Sequence, residues 1–259
     1  MADHGNLEIR NIDKTYLVDQ KPFRVLSNVS LDAPAGSFVT IVGPSGCGKS
    51  TLLRLIIGLD DGYDGEILLD GKKVSGTSLS RGIVFQDHRL LPWLTLEQNI
   101  ALSLENSTWS TEDKRKAIND HIALVGLQGF ENSYPHQLSG GMAQRAAIAR
   151  GLVNHPQVLL LDEPLGALDA LTRQRLQGEL ERIWKAEGVT MILVTHDVDE
   201  AIYLSDRVVV MAANPGRVVR DFVVDIPKPR DRAGHEFADL KRQILAAMGE
   251  TAHYAEAAE

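Results

Sequence analysis

Gly43-Pro44-Ser45-Gly46-Cys47-Gly48-Lys49-Ser50 is the stretch on which the reading of this 259-residue chain turns. It fits the spacing G-x-x-x-x-G-K-[ST]. In that pattern glycines let backbone N–H groups curl around phosphate oxygens, and the helix start that follows favours an anion. Lys49 reaches the β and γ phosphates, Ser50 can ligate Mg²⁺, and Thr51 continues the nucleotide-binding run. The context agrees: residues 38–42 read as a buried strand, residues 49–57 follow a helical period, and Gly58 is placed as a C-cap. A Gly-rich turn with a stray lysine requires neither neighbour.

Val158-Leu159-Leu160-Leu161-Asp162-Glu163 is an apolar strand ending in two carboxylates. Open α/β sheets bind ligands at the carboxyl ends of their strands. There Asp162 suits Mg²⁺, and Glu163 suits activation of an attacking water. Alone, the pair would read equally well as an acidic loop before Pro164; beside a phosphate loop it does not. Leu138-Ser139-Gly140-Gly141-Met142 opens a helical run, with Ser139 as N-cap and two glycines that permit close backbone approach. This is a second anion-binding helix start. A phosphate cradled by one loop has a free opposite face, so the second donor set is expected from another copy of the chain, in a dimer that sandwiches the nucleotide.

Residues 7–42 alternate between apolar and polar and predict short, half-buried antiparallel strands. Strands are expected at 65–69 and 82–85, then helices at 94–104, 111–125 and 141–153, in a mostly helical insertion at about 87–156. From Val158 strand and helix alternate (helices at 171–185 and 198–204, strands at 189–195 and 207–211), which implies parallel strands with crossover helices. Pro227 and Pro229 then mark a basic turn. Phe237, Leu240, Ile244, Leu245 and Met248 recur at helical spacing before a frayed Ala/Glu-rich end.

Composition sets the outer limits. Hydrophobic residues make up 44% and charged residues 24%, enough for a sizeable core. Lys plus Arg total 27 and Asp plus Glu 35, a net charge of −8, which argues against nucleic acid or an anionic membrane surface as a partner. No apolar run approaches the roughly 20 residues of a membrane span, and the first ten residues carry no secretory signal. A single cysteine, Cys47, forms no intrachain disulfide and fits a reducing cytosol. Inside the phosphate loop a positive field would lower its thiol pKa; the plainer account, which we favour, is a small residue in a tight turn.

Several motifs in this order resemble the ATP-binding subunit of ATP-binding cassette (ABC) transporters, over about residues 7–232. The resemblance implies an α/β P-loop NTPase fold with a mostly parallel core sheet, an N-terminal antiparallel β subdomain and an inserted α-helical subdomain. These span residues 1–232, with a short C-terminal helix and tail at 233–259. It also implies roles by position. Gln86 contacts Mg²⁺ or the lytic water, His196 contacts the γ-phosphate, and Tyr16 stacks on adenine. Asp169 communicates across the dimer, although it also suits the N-cap of the helix near Leu171. Each active site would combine Lys49, Ser50, Gln86, Asp162, Glu163 and His196 of one chain with Ser139 and Gly141 of the other, Gly140 being a further nucleotide-binding residue. Family members usually carry Gln where this chain has Met142. The implied partners are a second copy, two transmembrane permease subunits and, through them, a periplasmic or lipoprotein solute-binding protein. The chain would sit peripherally on the cytoplasmic face of the inner membrane.

Val84-Phe85-Gln86-Asp87-His88-Arg89-Leu90-Leu91-Pro92-Trp93-Leu94 and Asp225-Ile226-Pro227-Lys228-Pro229-Arg230-Asp231-Arg232 resemble the importer group for nitrate, aliphatic sulfonates and taurine. In the family, the region at Leu90–Leu94 contributes to the groove that receives the permease's coupling helix; the same residues would also serve to pack the helical insertion. Three alternatives fit less well. An ABC ATPase acting on ribosomes or DNA usually has two cassettes or a long coiled-coil insertion. A P-loop kinase or GTPase lacks the element around Ser139, and a non-catalytic scaffold would be expected to lose Glu163 or His196.

Overall fold

The computed structural model describes residues 5–256, with side chains described through residue 249; positions 1–4 and the last three of the Ala/Glu-rich end lie outside the described residues. In chain order the elements are β1 (Leu7–Val18), β2 (Lys21–Ala33), β3 (Phe38–Val42), α1 (Lys49–Ile57), β4 (Asp64–Leu69), β5 (Lys72–Lys73), β6 (Arg81–Val84), α2 (Leu96–Ala101), α3 (Thr111–Leu124), α4 (Gly140–Leu152), β7 (Val158–Asp162), α5 (Ala170–Glu187), β8 (Thr190–Thr195), α6 (Val198–Leu204), β9 (Arg207–Ala212), β10 (Arg217–Val223) and α7 (His235–Glu256). They form two compact units. One is built from the chain up to Ser78 and from Thr190 onward, the other from Leu79–Val189.

In the first unit an antiparallel sheet has the order β2-β1-β4-β5. Beside it β8, β3 and β9 run parallel, with β10 antiparallel on β9. The strands expected to be short are long: β1 has 12 residues and β2 has 13. The reason lies in irregularities that break the two-residue period. Asn11 and Asn28 take φ near +50°, and the β1–β2 register shifts between Ile9 and Ile12. One extra residue swaps the faces of a strand. Leu7 and Ile9 point inward before the shift; Ile12, Lys14 and Tyr16 are the more buried positions after it.

The core of this unit joins Val42 of β3 to Val208 and Val210 of β9, Ala201 and Ile202 of α6, and Phe237, Ile244 and Ala247 of α7, with Leu240 and Met248 packed alongside. Full burial of side chains the size of Phe237 and Ile244 contributes roughly 2 to 3 kcal/mol each, which fastens α7 to the fold. Leu245 departs from the expected stripe and is 47% exposed.

Arg230, in the basic turn before α7, is buried. Its guanidinium donates to the carbonyls of Ile202 (2.5 Å), Ser205 (2.6 Å), Ile226 (2.9 Å) and Val224 (3.1 Å). Helix ends leave carbonyls without intrahelical partners and carry negative dipole charge, so a guanidinium at the end of α6 satisfies both.

In the second unit β6 and β7 are parallel, with Val84 opposite Leu161. Ser110, Ser139 and Asp169 cap α3, α4 and α5 by accepting from the backbone N–H groups of Asp113 (3.1 Å), Met142 (3.3 Å) and Thr172 (3.0 Å).

Replacing Arg230 with Ala leaves several buried carbonyls unsatisfied, each worth roughly 1 to 3 kcal/mol. A loss of at least about 3 kcal/mol in equilibrium denaturation is therefore expected; a loss under about 1 kcal/mol would contradict the clamp.

Candidate nucleotide site

The loop from Gly43 to Gly48 joins β3 to α1, as its sequence predicts. Parallel pairing of Val42 with Thr195 places Gly43 and His196 just beyond neighbouring strand ends. A side chain is excluded at two positions in the loop. A Cβ on Gly43 would lie 2.5 Å from the Met211 carbonyl oxygen, and one on Gly48, at φ +89°, would lie 2.5 Å from Leu26 Cδ2. Gly48 caps α1 with no side-chain hydrogen bond, and no acid stands in the first turn. The positive end of the helix is thus left for an external anion. Lys49 is buried, and its Nζ donates to the carbonyls of Gly43 (2.8 Å) and Pro44 (2.9 Å), inside its own loop.

Cys47 is fully buried, 3.7 Å from Lys49 Nζ. Burial pushes its thiol up, and the opposing pull of Lys49 is smaller. The loop's positive field therefore does not lower the thiol, and the favoured account of a small residue in a tight turn is the one that fits. Gly216 was not anticipated at all. It bonds into β2 through Gly216 N to Val25 O and Ser27 N to Gly216 O, both 2.8 Å, and a Cβ there would meet the Cys47 carbonyl at 2.2 Å. The Asn214-Pro215-Gly216 sequence signals a turn, but nothing local says that the turn braces the phosphate loop.

Tyr16 is half-buried. Its hydroxyl donates to Asp60 and is hydrogen-bonded to Thr51 in α1, while Lys14 Nζ lies 4.7 Å from the ring centroid. Burial, then the Asp60 carboxylate, pushes the phenol up to about 12. Burial pushes the Asp60 carboxyl up as well, but hydrogen bonds from Lys14 and Tyr16 outweigh it and hold the group below its usual value. The irregularity in β1 thus delivers Tyr16 to the helix that carries Lys49, Ser50 and Thr51.

In the second unit Gln86 follows β6 and is exposed, and Asp162 ends β7. Glu163 takes φ +47°, a strained value for a glutamate. Its carboxylate and Gln86 converge: a Cβ on Gly166 would lie 3.3 Å from Gln86 Nε2 and 3.6 Å from Glu163 Oε2. Gln86, Asp162, Gly140 and Leu168 line one cavity of about 570 Å³. Its wall is braced by Gln144, which donates to the Phe85 carbonyl (3.2 Å), and by Arg150, which donates to those of His88 and Arg89 (2.8 and 2.7 Å). Gly141 is buried at the start of α4 behind the Ser139 cap, and Met142 is half-buried. Asp169 is the N-cap of α5, and the Thr172 N–H holds its carboxyl below the usual range.

The stretch after Gln86 divides between packing and exposure. Leu90 is buried, whereas Trp93 is 69% exposed. Fully buried Asn99 shapes it, accepting from Leu91 N (2.7 Å) and donating to the carbonyls of Leu91, Leu94 and Thr95.

A phosphate loop between β3 and α1, with a carboxylate pair closing a parallel strand, defines a P-loop nucleoside triphosphatase. The sequence profile of the ABC transporter family matches residues 26–166. The aliphatic sulfonates import ATP-binding protein SsuB of Bacillus cereus is 46% identical over 92% of this chain and 94% of its own; that of Bacillus subtilis is 44% identical over 92% of each. Among solved structures, the dimeric ATP-binding cassette MJ0796 in a post-hydrolysis state with ADP and Pi matches with a TM-score of 0.73 and 35% identity, over 84% of this chain and 98% of that one. CbiO1 from Clostridium perfringens, part of the cbiONQ transporter complex, matches at 0.79 and 27%, over 98% and 100%. The chain belongs to the ABC transporter family and is one of its ATPases.

Gly216→Ala drives a methyl into the Cys47 carbonyl, and a cost of roughly 1 to 3 kcal/mol with weakened ATP binding is expected. Gly178→Ala, in α5 with nothing within 4 Å of the added Cβ, should instead be neutral or stabilise by up to about 1 kcal/mol. Denaturation and calorimetric titration with ATP compare the two, and equal behaviour would contradict the brace.

Proposed function

We propose that this chain hydrolyses ATP to energise import of an aliphatic sulfonate through a membrane permease. The observation that carries the hydrolytic role is the strained Glu163, its carboxylate brought beside Gln86 over Gly166 at the end of β7. A carboxylate that accepts a proton from water and an amide that orients the same water are the two groups a hydrolytic nucleophile needs.

In this reading the amides of Gly43 to Ser50 and the Lys49 ammonium hold the β and γ phosphates. His196 contacts the γ-phosphate from the neighbouring strand end, and the Tyr16 ring takes the adenine. Lys49 exchanges the carbonyls of Gly43 and Pro44 for phosphate oxygens. Mg²⁺ suits hard oxygen donors, which Ser50 supplies in the first unit and Asp162 and Gln86 supply in the second. Bound with ATP, the ion would neutralise charge on the β and γ phosphates. Ser139, Gly140 and Gly141 address the phosphate of a second copy, with Asp169 at the same junction; the dimeric MJ0796 cassette supports that arrangement. ATP-driven closure moves the permease between access states, and hydrolysis resets it.

No helix among the described residues is long and apolar enough to cross a membrane; in this reading the chain meets the bilayer through its permease, at the cytoplasmic face. Trp93 stands out from a loop held by Asn99 and offers an apolar contact to a permease helix. The solute class follows the names of the SsuB relatives; the permease and a solute-binding protein select the molecule.

Glu163→Gln should retain ATP-dependent dimerisation while losing about 10²-fold or more in turnover, since positioned proton transfer contributes on that scale. Turnover at the native rate in this variant would remove Glu163 from the role. With the complex reconstituted beside its solute-binding protein, alkanesulfonates should stimulate ATPase activity more than taurine or nitrate; stimulation by nitrate alone would overturn the solute class.

A further inference from the structure

His121 on α3, His155 in the turn after α4 and Glu187 at the last position of α5 meet on the second unit, with one ligand atom of each within 4.8 Å of the others. None of the three takes part in the nucleotide chemistry above. Glu187 Oε2 lies 3.9 Å from His121 Nε2 and 3.8 Å from His155 Nδ1, too far for hydrogen bonds.

The state of His121 is the informative feature. Its side chain is 2% exposed, and Nδ1 lies 2.8 Å from the carbonyl oxygen of Ala117. A carbonyl only accepts, so Nδ1 carries the proton and Nε2 keeps its lone pair. That Nε2 is buried, without a hydrogen-bond partner, and aimed at the other two groups. An unsatisfied buried nitrogen is costly. An imidazole whose far nitrogen is fixed by a carbonyl is the arrangement that orients histidine toward a metal.

We propose that His121 Nε2, His155 Nδ1 and Glu187 Oε2 bind a divalent transition-metal ion, Zn²⁺ being the best match. Two imidazoles and one carboxylate suit zinc and disfavour Mg²⁺ or Ca²⁺. Tetrahedral bonds of about 2.0 to 2.2 Å put ligand atoms about 3.4 Å apart. The three groups therefore need to close by roughly 0.5 to 1.5 Å, within reach of exposed His155 and half-buried Glu187. A fourth position faces a cavity of about 340 Å³ lined by Trp109, Asp113, Asp120 and His155, where water can complete the shell. The charges around the site are mixed: Glu187 sits at the negative end of α5, which favours a cation, whereas Asp120, near both imidazoles, is paired with Lys116 of the same cavity at 2.7 Å.

The ion is a staple, not a catalyst. His155 and Glu187 stand at the C-terminal ends of α4 and α5, whose N-terminal ends present Ser139 and Asp169. Holding the far ends together with α3 restrains both helices at once.

The test uses the full chain, stripped with a chelator and free of nucleotide. Calorimetry with Zn²⁺ and visible absorption with Co²⁺ should each report one ion per chain. Zn²⁺, but not Mg²⁺, should raise the unfolding temperature, and Co²⁺ should quench Trp109, whose ring lies 5.5 Å from that of His155. His155→Ala and Glu187→Gln change groups that are not fully buried and should leave the fold intact, which His121→Gln need not do. Each is expected to weaken Zn²⁺ binding by at least about 10-fold. Absence of a one-to-one event in the native chain, or the same affinity in both variants, would overturn the site.

Discussion

The nucleotide loop is shaped by three places where no side chain fits. Gly43 lies against the Met211 carbonyl on β9, Gly48 against Leu26 on β2, and Gly216 against the carbonyl of Cys47 itself. Together they press the loop between β9 of one sheet, β2 of the other and the turn that precedes β10, and fix its backbone before any ligand arrives. Preorganised N–H groups stabilise charge without a reorganisation penalty, which is why rigidity matters more here than extra contacts. Lys49, folded onto the carbonyls of Gly43 and Pro44, supplies a cation already in place.

The same economy governs Tyr16. The irregularity at Asn11 changes which face of β1 is buried, and the altered phase brings Tyr16 to Thr51 and Asp60 with Lys14 beside the ring. A slip in one strand thus positions an aromatic surface beside the helix that follows the phosphate loop. In the second unit the strain at Glu163 does similar work, holding a carboxylate over Gly166 that a relaxed backbone would send elsewhere.

Much of this was legible because it is local. The loop, its strand and its helix are contiguous, and the caps Ser110, Ser139 and Asp169 each bond a residue three positions on. Hidden features depend on distant partners. The length of β1 and β2 was missed because irregularities at Asn11 and Asn28 break the period that sequence reading relies on. Strand β10 was missed because its apolar residues come in adjacent pairs, Val218-Val219 and Phe222-Val223, instead of alternating, and its reason to exist is pairing with β9. The bracing by Gly216, the loop clamp of Asn99 and the carbonyl clamp of Arg230 each join segments whose sequences say nothing of one another. Cys47 fits the reading of a small residue in a tight turn, and its burial, invisible in the sequence, outweighs the pull of Lys49 on the thiol.

The account stands on the claim that the loop from Gly43 to Ser50 receives the phosphates and that Lys49 changes partners to do so. A crystal structure of the full chain with Mg²⁺ and a non-hydrolysable ATP analogue measures this directly. The β and γ phosphates should lie within the loop, with Lys49 Nζ moved from the carbonyls of Gly43 and Pro44 to phosphate oxygens and the adenine against Tyr16. Phosphates bound elsewhere, or Lys49 still on those two carbonyls with nucleotide present, would contradict it.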